Sequence, residues 1–229
     1  GEPYLLFTDT VRSAQPEHQK TLGLWCKTSN LCSEITLPTG IDCFGKRRTA
    51  VCCLSSVNLE YYDQWKDDDL FIMDIMRFLD NVLQDFIETA PPKMADAVYS
   101  AVRERSIGLG VMGFHSFLQD RGLPFDSVMV KVWNEKIFSH LRSQANAASN
   151  ILADEKGACP DAIECGAWER FSTKLAIAPT ASISIIASNS SPGIEPYAAN
   201  SFTQKTLTGS FTVRNKYLSA LLDTKGRNT

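Results

Sequence analysis

From Leu70 to Phe86 the apolar side chains recur at three- and four-residue steps: Leu70, Met73, Met76, Leu79, Leu83 and Phe86. That spacing collects them on one face of a helix about five turns long, and the face must lie against a hydrophobic core. Asp67, Asp68 and Asp69 put negative charge where a helix begins, and Pro91-Pro92 ends it. Further helices are predicted from about Met94 to Glu104, near Phe114 to Gln119, from about Ser127 to Glu155 and from about Lys216 to Leu222. Shorter runs read as extended: Tyr4 to Phe7, ahead of a polar connection, then Asn30 to Thr36, Thr49 to Leu54 and Lys174 to Ala178. Strands separated by long helices predict an α/β arrangement with parallel strands. No repeat, low-complexity tract or linker divides the 229 residues, so a single domain or part of a larger one is expected.

Apolar residues make up 44% of the chain and charged residues 21%, the composition of a soluble globular protein with a sizeable core. A formal net charge of -3 offers no basic patch for a nucleic acid polymer, so any nucleotide is expected as a small molecule. No run of roughly 18 apolar residues is present, and no membrane span is expected. The first residue is Gly, and the polar stretch Lys225 to Thr229 follows soon after a helical segment, which reads as a piece of a longer protein. Seven cysteines (Cys26, Cys32, Cys43, Cys52, Cys53, Cys159 and Cys165) form an odd count without a CxxC pair. Reduced, mostly buried thiols in a cytoplasmic protein explain that pattern. A zinc set drawn from Cys26, Cys32, Cys43 and Cys52 is the alternative, but it lacks the usual paired-ligand rhythm.

Four constellations could carry chemistry. In Ser29-Asn30-Leu31-Cys32-Ser33-Glu34-Ile35 an extended backbone would turn Asn30, Cys32 and Glu34 to one face and Leu31 and Ile35 to the other. The first face offers a hydrogen-atom abstractor, a hydrogen bonder and a proton acceptor; a half-buried strand with a solvated polar face explains the same alternation. Adjacent Cys52 and Cys53 would face opposite sides, so only one can share a site with Cys32, or both are small core residues. The stretch Ala178-Pro179-Thr180-Ala181-Ser182-Ile183-Ser184 could surround an anion with N–H and hydroxyl groups, helped by a helix start; an unliganded N-cap is the plainer account. Gly108, Gly110 and Gly113 spell G-x-G-x-x-G, but the segment before them reads as helix, which favours close packing or a tight turn over a dinucleotide site.

Taken together and in order, these motifs resemble the large, catalytic subunits of ribonucleotide reductases. Asn30-Leu31-Cys32-Ser33-Glu34-Ile35, then Ala50-Val51-Cys52 with Asn58-Leu59, is similar to the radical-bearing finger loop and the strand after it. Arg105 to His115 (RSIGLGVMGFH) looks like a helical segment of the same family, and Glu155 to Pro160 (EKGACP) resembles a stretch that follows it. Ala178 to Ser182 and Gly193-Ile194-Glu195-Pro196 are similar to the family's phosphate loop and its continuation.

The resemblance implies an α/β fold, part of a ten-stranded α/β barrel with a central finger loop. It implies reduction of ribonucleoside diphosphates to deoxyribonucleoside diphosphates. Cys32 would be the thiyl that abstracts the ribose 3′ hydrogen, Glu34 the base at the 3′ hydroxyl, and Asn30 a hydrogen-bond partner of the sugar. Cys52, rather than Cys53, would be one of two thiols that reduce the 2′ position and end as a disulfide. Pro179, Thr180, Ala181, Ser182 and Ile183 would hold the substrate phosphates. No cofactor or metal is expected in this chain.

The radical is expected from a small, metal-containing partner subunit, and electrons from an external thioredoxin- or glutaredoxin-type reductant. The remaining parts of the catalytic subunit are further expected partners, in a homodimer of the full-length protein. The second thiol of the reducing pair, the regulatory region and the C-terminal tail are not found here, so the chain alone is expected to be inactive. The Pro179 to Ser182 loop and Lys205 to Asn215 (KTLTGSFTVRN) resemble the aerobic two-subunit class. The cobalamin-dependent class, which would require adenosylcobalamin, more often has Gly where Ala181 stands. A non-catalytic nucleotide-binding or assembly module is the remaining alternative.

Overall fold

The fold is set by hydrophobic rhythm together with buried polar side chains that fix the path of the backbone. It is a computed structural model that describes residues 4–206 and 209–227. In chain order the first elements are α1 (Thr8–Ala14), α2 (Glu17–Thr21), a short hairpin of β1 (Gly40–Ile41) and β2 (Arg47–Arg48), and β3 (Leu54–Asn58). A 3-10 turn at Leu59–Tyr61 leads to α3 (Tyr62–Trp65), α4 (Phe71–Thr89), α5 (Ala95–Glu104), β4 (Gly108–Met112) and α6 (Phe114–Asp120). Then come α7 (Val128–Lys156), α8 (Pro160–Ile163), α9 (Ile183–Ile186), the hairpin β5 (Ser201–Thr206) and β6 (Gly209–Arg214), and α10 (Lys216–Thr224).

Contacts divide the chain into two units, each assembled from separated stretches. The first comprises Gly1–Ser55, Lys66–Gly110 and Phe138–Ala178. Its core includes Ile72, Met76, Leu79 and Leu83 of α4 together with Ala101, Leu152 and Phe171, all buried. Burying these side chains contributes roughly 1.5–3 kcal/mol each for the larger ones. Leu70 departs from expectation: it is 66% exposed, because Asp68 Oδ1 accepts its amide at 3.0 Å and α4 starts one residue later. Inside this core Asp80 is fully buried and meets three cations, Arg105 (Nη2, 2.7 Å), Arg170 (Nε, 3.0 Å) and Lys156 (Nζ, 3.0 Å). Arg48 closes a second buried ion pair with Asp161 at 2.7 and 3.0 Å, and its Nε donates to Asp42 at 2.7 Å.

The glycine motif is a strand, not the helical segment expected from Arg105 to His115. Helix α5 stops where Arg105 takes a left-handed φ of 43°. Gly108 and Gly110 then lie on β4, where a Cβ on Gly110 would sit 2.2 Å from the Ala176 carbonyl oxygen. Leu109 pairs in parallel with Leu175, and the strand expected over Lys174 to Ala178 reduces to that one bridge. The bridge rests on Leu109 N–H to Lys174 O (2.9 Å) and Ala176 N–H to Leu109 O (3.2 Å).

The second unit comprises Ser56–Trp65, Val111–Ile137 and Pro179–Thr229. Tyr62 is buried edge-to-face against Trp65 (5.0 Å between centroids) and Phe117 (5.9 Å). Its hairpin β5–β6 is antiparallel, in register from Ser201↔Arg214 to Thr206↔Gly209. Asn215 caps α10 by accepting the amides of Tyr217 and Leu218. Three further expectations change. Tyr4 to Phe7 is irregular and the following polar connection forms α1 and α2. Regular strand begins only at Leu54, so Thr49 to Cys53 is not a strand. Asn30 to Thr36 is not extended, for the reason given below. Among the described residues no helix is long and apolar enough to cross a membrane.

Candidate active site

Two side chains bend the Asn30 to Ile35 segment. Asn30 O accepts the amide of Ser33 at 3.1 Å, and Ser33 takes φ 68°, which an extended strand does not contain. Asn30 Oδ1 accepts the Ile35 amide at 3.1 Å, and Ser29 Oγ donates to Ile35 O at 2.7 Å. The segment is therefore a closed turn anchored by buried Ile35, with Leu31 and Cys32 exposed at its tip. Ser29, a residue the sequence reading left without a role, belongs to the side-chain-to-backbone chemistry by which Ser and Asn compete with strand pairing.

Glu34 follows the turn. Its Oε2 is buried and has no hydrogen-bond partner among the described residues. A buried carboxylate oxygen left unmatched is costly, which marks a place where a donor from a bound molecule would be stabilising. Cys52 is exposed, whereas Cys53 is buried with its Sγ 3.6 Å from Leu79 O. Desolvation lifts the Cys52 thiol above its ordinary value, and the Glu34 carboxylate and Cys32 thiol add to the rise. Burial pushes Cys53 further, to about 11. A cleft of about 510 Å³ has Ser29, Asn30, Ile35 and Cys52 in its wall, with Lys27, Arg47 and Arg48 as its cations. Asn30, Cys32, Glu34 and Cys52 thus occur in one unit around one turn. Of the four, Asn30 and Cys52 line this cleft, Glu34 lines a separate pocket with Ile35, Cys53 and Ser106, and Cys32 lines neither.

The residues of the anion-loop reading lie in the other unit. Thr180 is buried with φ 50°, a strained value for a β-branched residue, and its Oγ1 accepts the Gly193 amide at 2.7 Å. Ala181, Ser182 and Ile183 are exposed, Pro179 precedes them on the surface, and α9 begins at Ile183 with only four residues. Gly193 opens the Gly193-Ile194-Glu195-Pro196 stretch already read as the loop's continuation, whereas Ser191 escaped the sequence reading; Ser191 O accepts the Gly113 amide at 2.7 Å, and Ser191 N donates to Ser116 Oγ at 2.8 Å. Among the described residues no group of three or more His, Cys, Asp or Glu side chains is placed to hold a metal ion.

The model of the ribonucleotide reductase barrel domain matches residues 1–169 and 166–229. The chain belongs to the ribonucleotide reductase barrel-domain family. Within that family, the ribonucleoside-diphosphate reductase large subunit of Invertebrate iridescent virus 3 is 46% identical over 223 residues, covering 97% of this chain and 34% of the relative. The protein of the same name from Invertebrate iridescent virus 6 is 52% identical over 191 residues, covering 83% of this chain and 19% of the relative. The class Id ribonucleotide reductase alpha subunit of Actinobacillus ureae superposes with a TM-score of 0.88 at 36% identity, covering all of this chain and 41% of that one. The chain therefore spans well under half of these reductase relatives, and its fold is that of part of an α/β reductase barrel. The two stretches of the family match overlap at 166–169, between α8 and the Leu175 bridge.

Proposed function

We propose that this chain supplies the radical-bearing turn and a phosphate-holding loop to the catalytic barrel of a ribonucleoside-diphosphate reductase large subunit. The observation that carries the reading is the buried, unmatched Oε2 of Glu34 beside a turn that exposes Cys32. A substrate hydroxyl would supply the missing donor. In this reading Cys32, as a thiyl, takes the 3′ hydrogen and becomes a thiol, leaving a carbon radical on the sugar. Glu34 takes the 3′ hydroxyl proton, which requires hydrogen-bond reach. The 2′ oxygen leaves as water, and Cys52 with a second thiol supplies two electrons and two protons, ending as a disulfide. The sugar radical recovers its hydrogen from Cys32, which restores the thiyl. Asn30 donates its amide to the sugar.

Thr180, Ala181, Ser182 and Ile183 hold the phosphates, chiefly through backbone N–H groups, with Pro179, which has no N–H, leading into the loop. The names of the relatives support a diphosphate substrate, and the class Id neighbour supports a radical supplied by a small metal-containing subunit over the cobalamin alternative. A thioredoxin- or glutaredoxin-type reductant, a homodimer of full-length subunits and a cytoplasmic setting complete the proposal. The test is reduction of a ribonucleoside diphosphate by the full-length subunit with its radical partner, comparing wild type with Cys32→Ser. Deoxynucleotide from wild type alone, with substrate binding intact in the variant, is the expected result. Activity retained in Cys32→Ser would remove Cys32 from the mechanism, and the non-catalytic module would then be the better reading.

A further inference from the structure

We propose that Ser29 is a positioning residue for the Cys32 turn, a role that rests on the reading of Cys32 given above. Both backbone groups of Ile35 are held by side chains rather than by a neighbouring strand: its N–H by Asn30 Oδ1 at 3.1 Å and its C=O by Ser29 Oγ at 2.7 Å. Those two bonds join the legs of the turn, and the exposed Cys32 lies between them. A hydroxyl has one proton. At 2.7 Å from Ile35 O and 3.3 Å from Asn30 Oδ1, that proton is committed to Ile35.

The Ile35 amide is a donor, so Asn30 must turn its oxygen inward to accept it. The Nδ2 amide group of Asn30 is thereby directed away from the turn, with both hydrogens available to a ligand in the cleft that Ser29 and Asn30 line together. Ser29 thus fixes the separation of the turn's legs, and by holding Ile35 in place it keeps the Ile35 amide where it orients the Asn30 side chain. It touches no reacting atom in this scheme.

The experiment compares Ser29→Ala and Ser29→Thr with wild type in the full-length subunit plus radical partner, with Cys32→Ser as the inactive reference. Losing one hydrogen bond at a site that must align reacting atoms is expected to lower kcat about tenfold or more. KM for the diphosphate should stay within about twofold, since the phosphate loop is untouched. Threonine keeps the hydroxyl and is expected to restore turnover; a variant that merely weakened the fold would not show this split or this rescue. Amide exchange at Ile35, read in the same proteins without turnover, should quicken about tenfold in Ser29→Ala.

Unchanged kcat and unchanged exchange in Ser29→Ala, or Ser29→Thr as impaired as Ser29→Ala, overturns the role of Ser29 while leaving Cys32 in place. A wild type that makes no deoxynucleotide overturns the functional reading instead, and the Ile35 exchange rate still decides whether Ser29 holds the turn.

Discussion

Asp80 and Arg170, ninety residues apart in sequence, meet through a two-pronged bond: Nε to Oδ1 at 3.0 Å and Nη2 to Oδ2 at 3.2 Å. Both are buried, and Arg105 and Lys156 share the same carboxylate. Removing it by Asp80→Ala leaves two buried guanidinium groups uncompensated. The expected loss is about 3–5 kcal/mol, because an unpaired buried charge costs more than the pair ever contributed. Urea unfolding of wild type and variant measures it; a loss below about 1 kcal/mol would show that water reaches the cluster.

Glu104 carries a pH signature. Burial raises its carboxyl to about 8, with Ser106 Oγ as a hydrogen-bond donor at 3.1 Å. Between an unfolded value of about 4.3 and that raised value, the folded chain binds more protons than the unfolded one. Stability attributable to this group is therefore present at the acid side and is lost as pH rises through the window. Glu104→Gln accepts the same hydrogen bond without titrating. Urea midpoints taken from about pH 5 to about pH 9 should slope less in the variant than in wild type; equal slopes would reject the assignment.

Gly110 and Gly122 separate two reasons for glycine. A methyl on Gly110 meets the backbone oxygen of Ala176 at 2.2 Å, and backbone cannot swing aside. Gly122 has open space but φ 62°, so alanine there costs only conformational strain. Gly122→Ala is expected to lose about 1–2 kcal/mol. Gly110→Ala should lose about 3 kcal/mol or more, or yield insoluble protein. Denaturation midpoints that rank the two the other way round would mean that β4 shifts readily.

The thiols should react in the order of their exposure. Cys32, Cys43 and Cys52 are exposed, while Cys26, Cys53 and Cys159 are buried, the last two with thiols pushed to about 11. A brief pulse of alkylating reagent, mapped by mass spectrometry, should label the first three and spare the others. Because the Cys52 thiol is also shifted upward, its labelling should climb steeply with pH. Labelling of Cys53 ahead of Cys52 would contradict the local structure.

Asn30 can be divided into its two halves. Asn30→Asp keeps an oxygen for the Ile35 amide and should leave stability within about 0.5 kcal/mol. Asn30→Ala leaves that amide unmatched and should cost about 1–3 kcal/mol. Both variants lose the amide donor, so both should lose turnover in the full-length subunit. Full activity in Asn30→Asp would show that the donor is not needed.

The helices were legible because period is a property of many residues at once: Met73, Met76, Leu79 and Leu83 all point inward as their spacing requires. The turn at Cys32 was not, because alternating polar and apolar residues look the same whether a strand forms or a Ser-Asn pair bends the chain. Hairpin β5–β6 escaped for a related reason. Apart from half-buried Phe202, Gln204 and Val213, its described side chains are exposed, so no hydrophobic alternation announces it. Asp80 looked like an ordinary polar position on α4, since its partners Arg105 and Arg170 lie far along the chain. Within the candidate site, the order of Asn30, Cys32, Glu34 and Cys52 could be read from the sequence. The bonds that shape their backbone depend on which hydroxyl reaches which carbonyl, and that is decided in three dimensions.

The interleaving of the two units has a consequence for synthesis. The first unit needs the Phe138–Ala178 stretch before Asp80 can meet Arg170, and the second needs residues beyond Pro179 before Thr180 can meet Gly193. A nascent chain leaving the ribosome residue by residue therefore has only neighbouring α5 to set against α4 until the Phe138–Ala178 stretch has emerged. Domains normally fold in order as they appear, and long-range closure is slow. Here the earliest segments must wait for the Phe138–Ala178 stretch, which makes the newly made polypeptide a natural client for chaperones that shield apolar helices during translation.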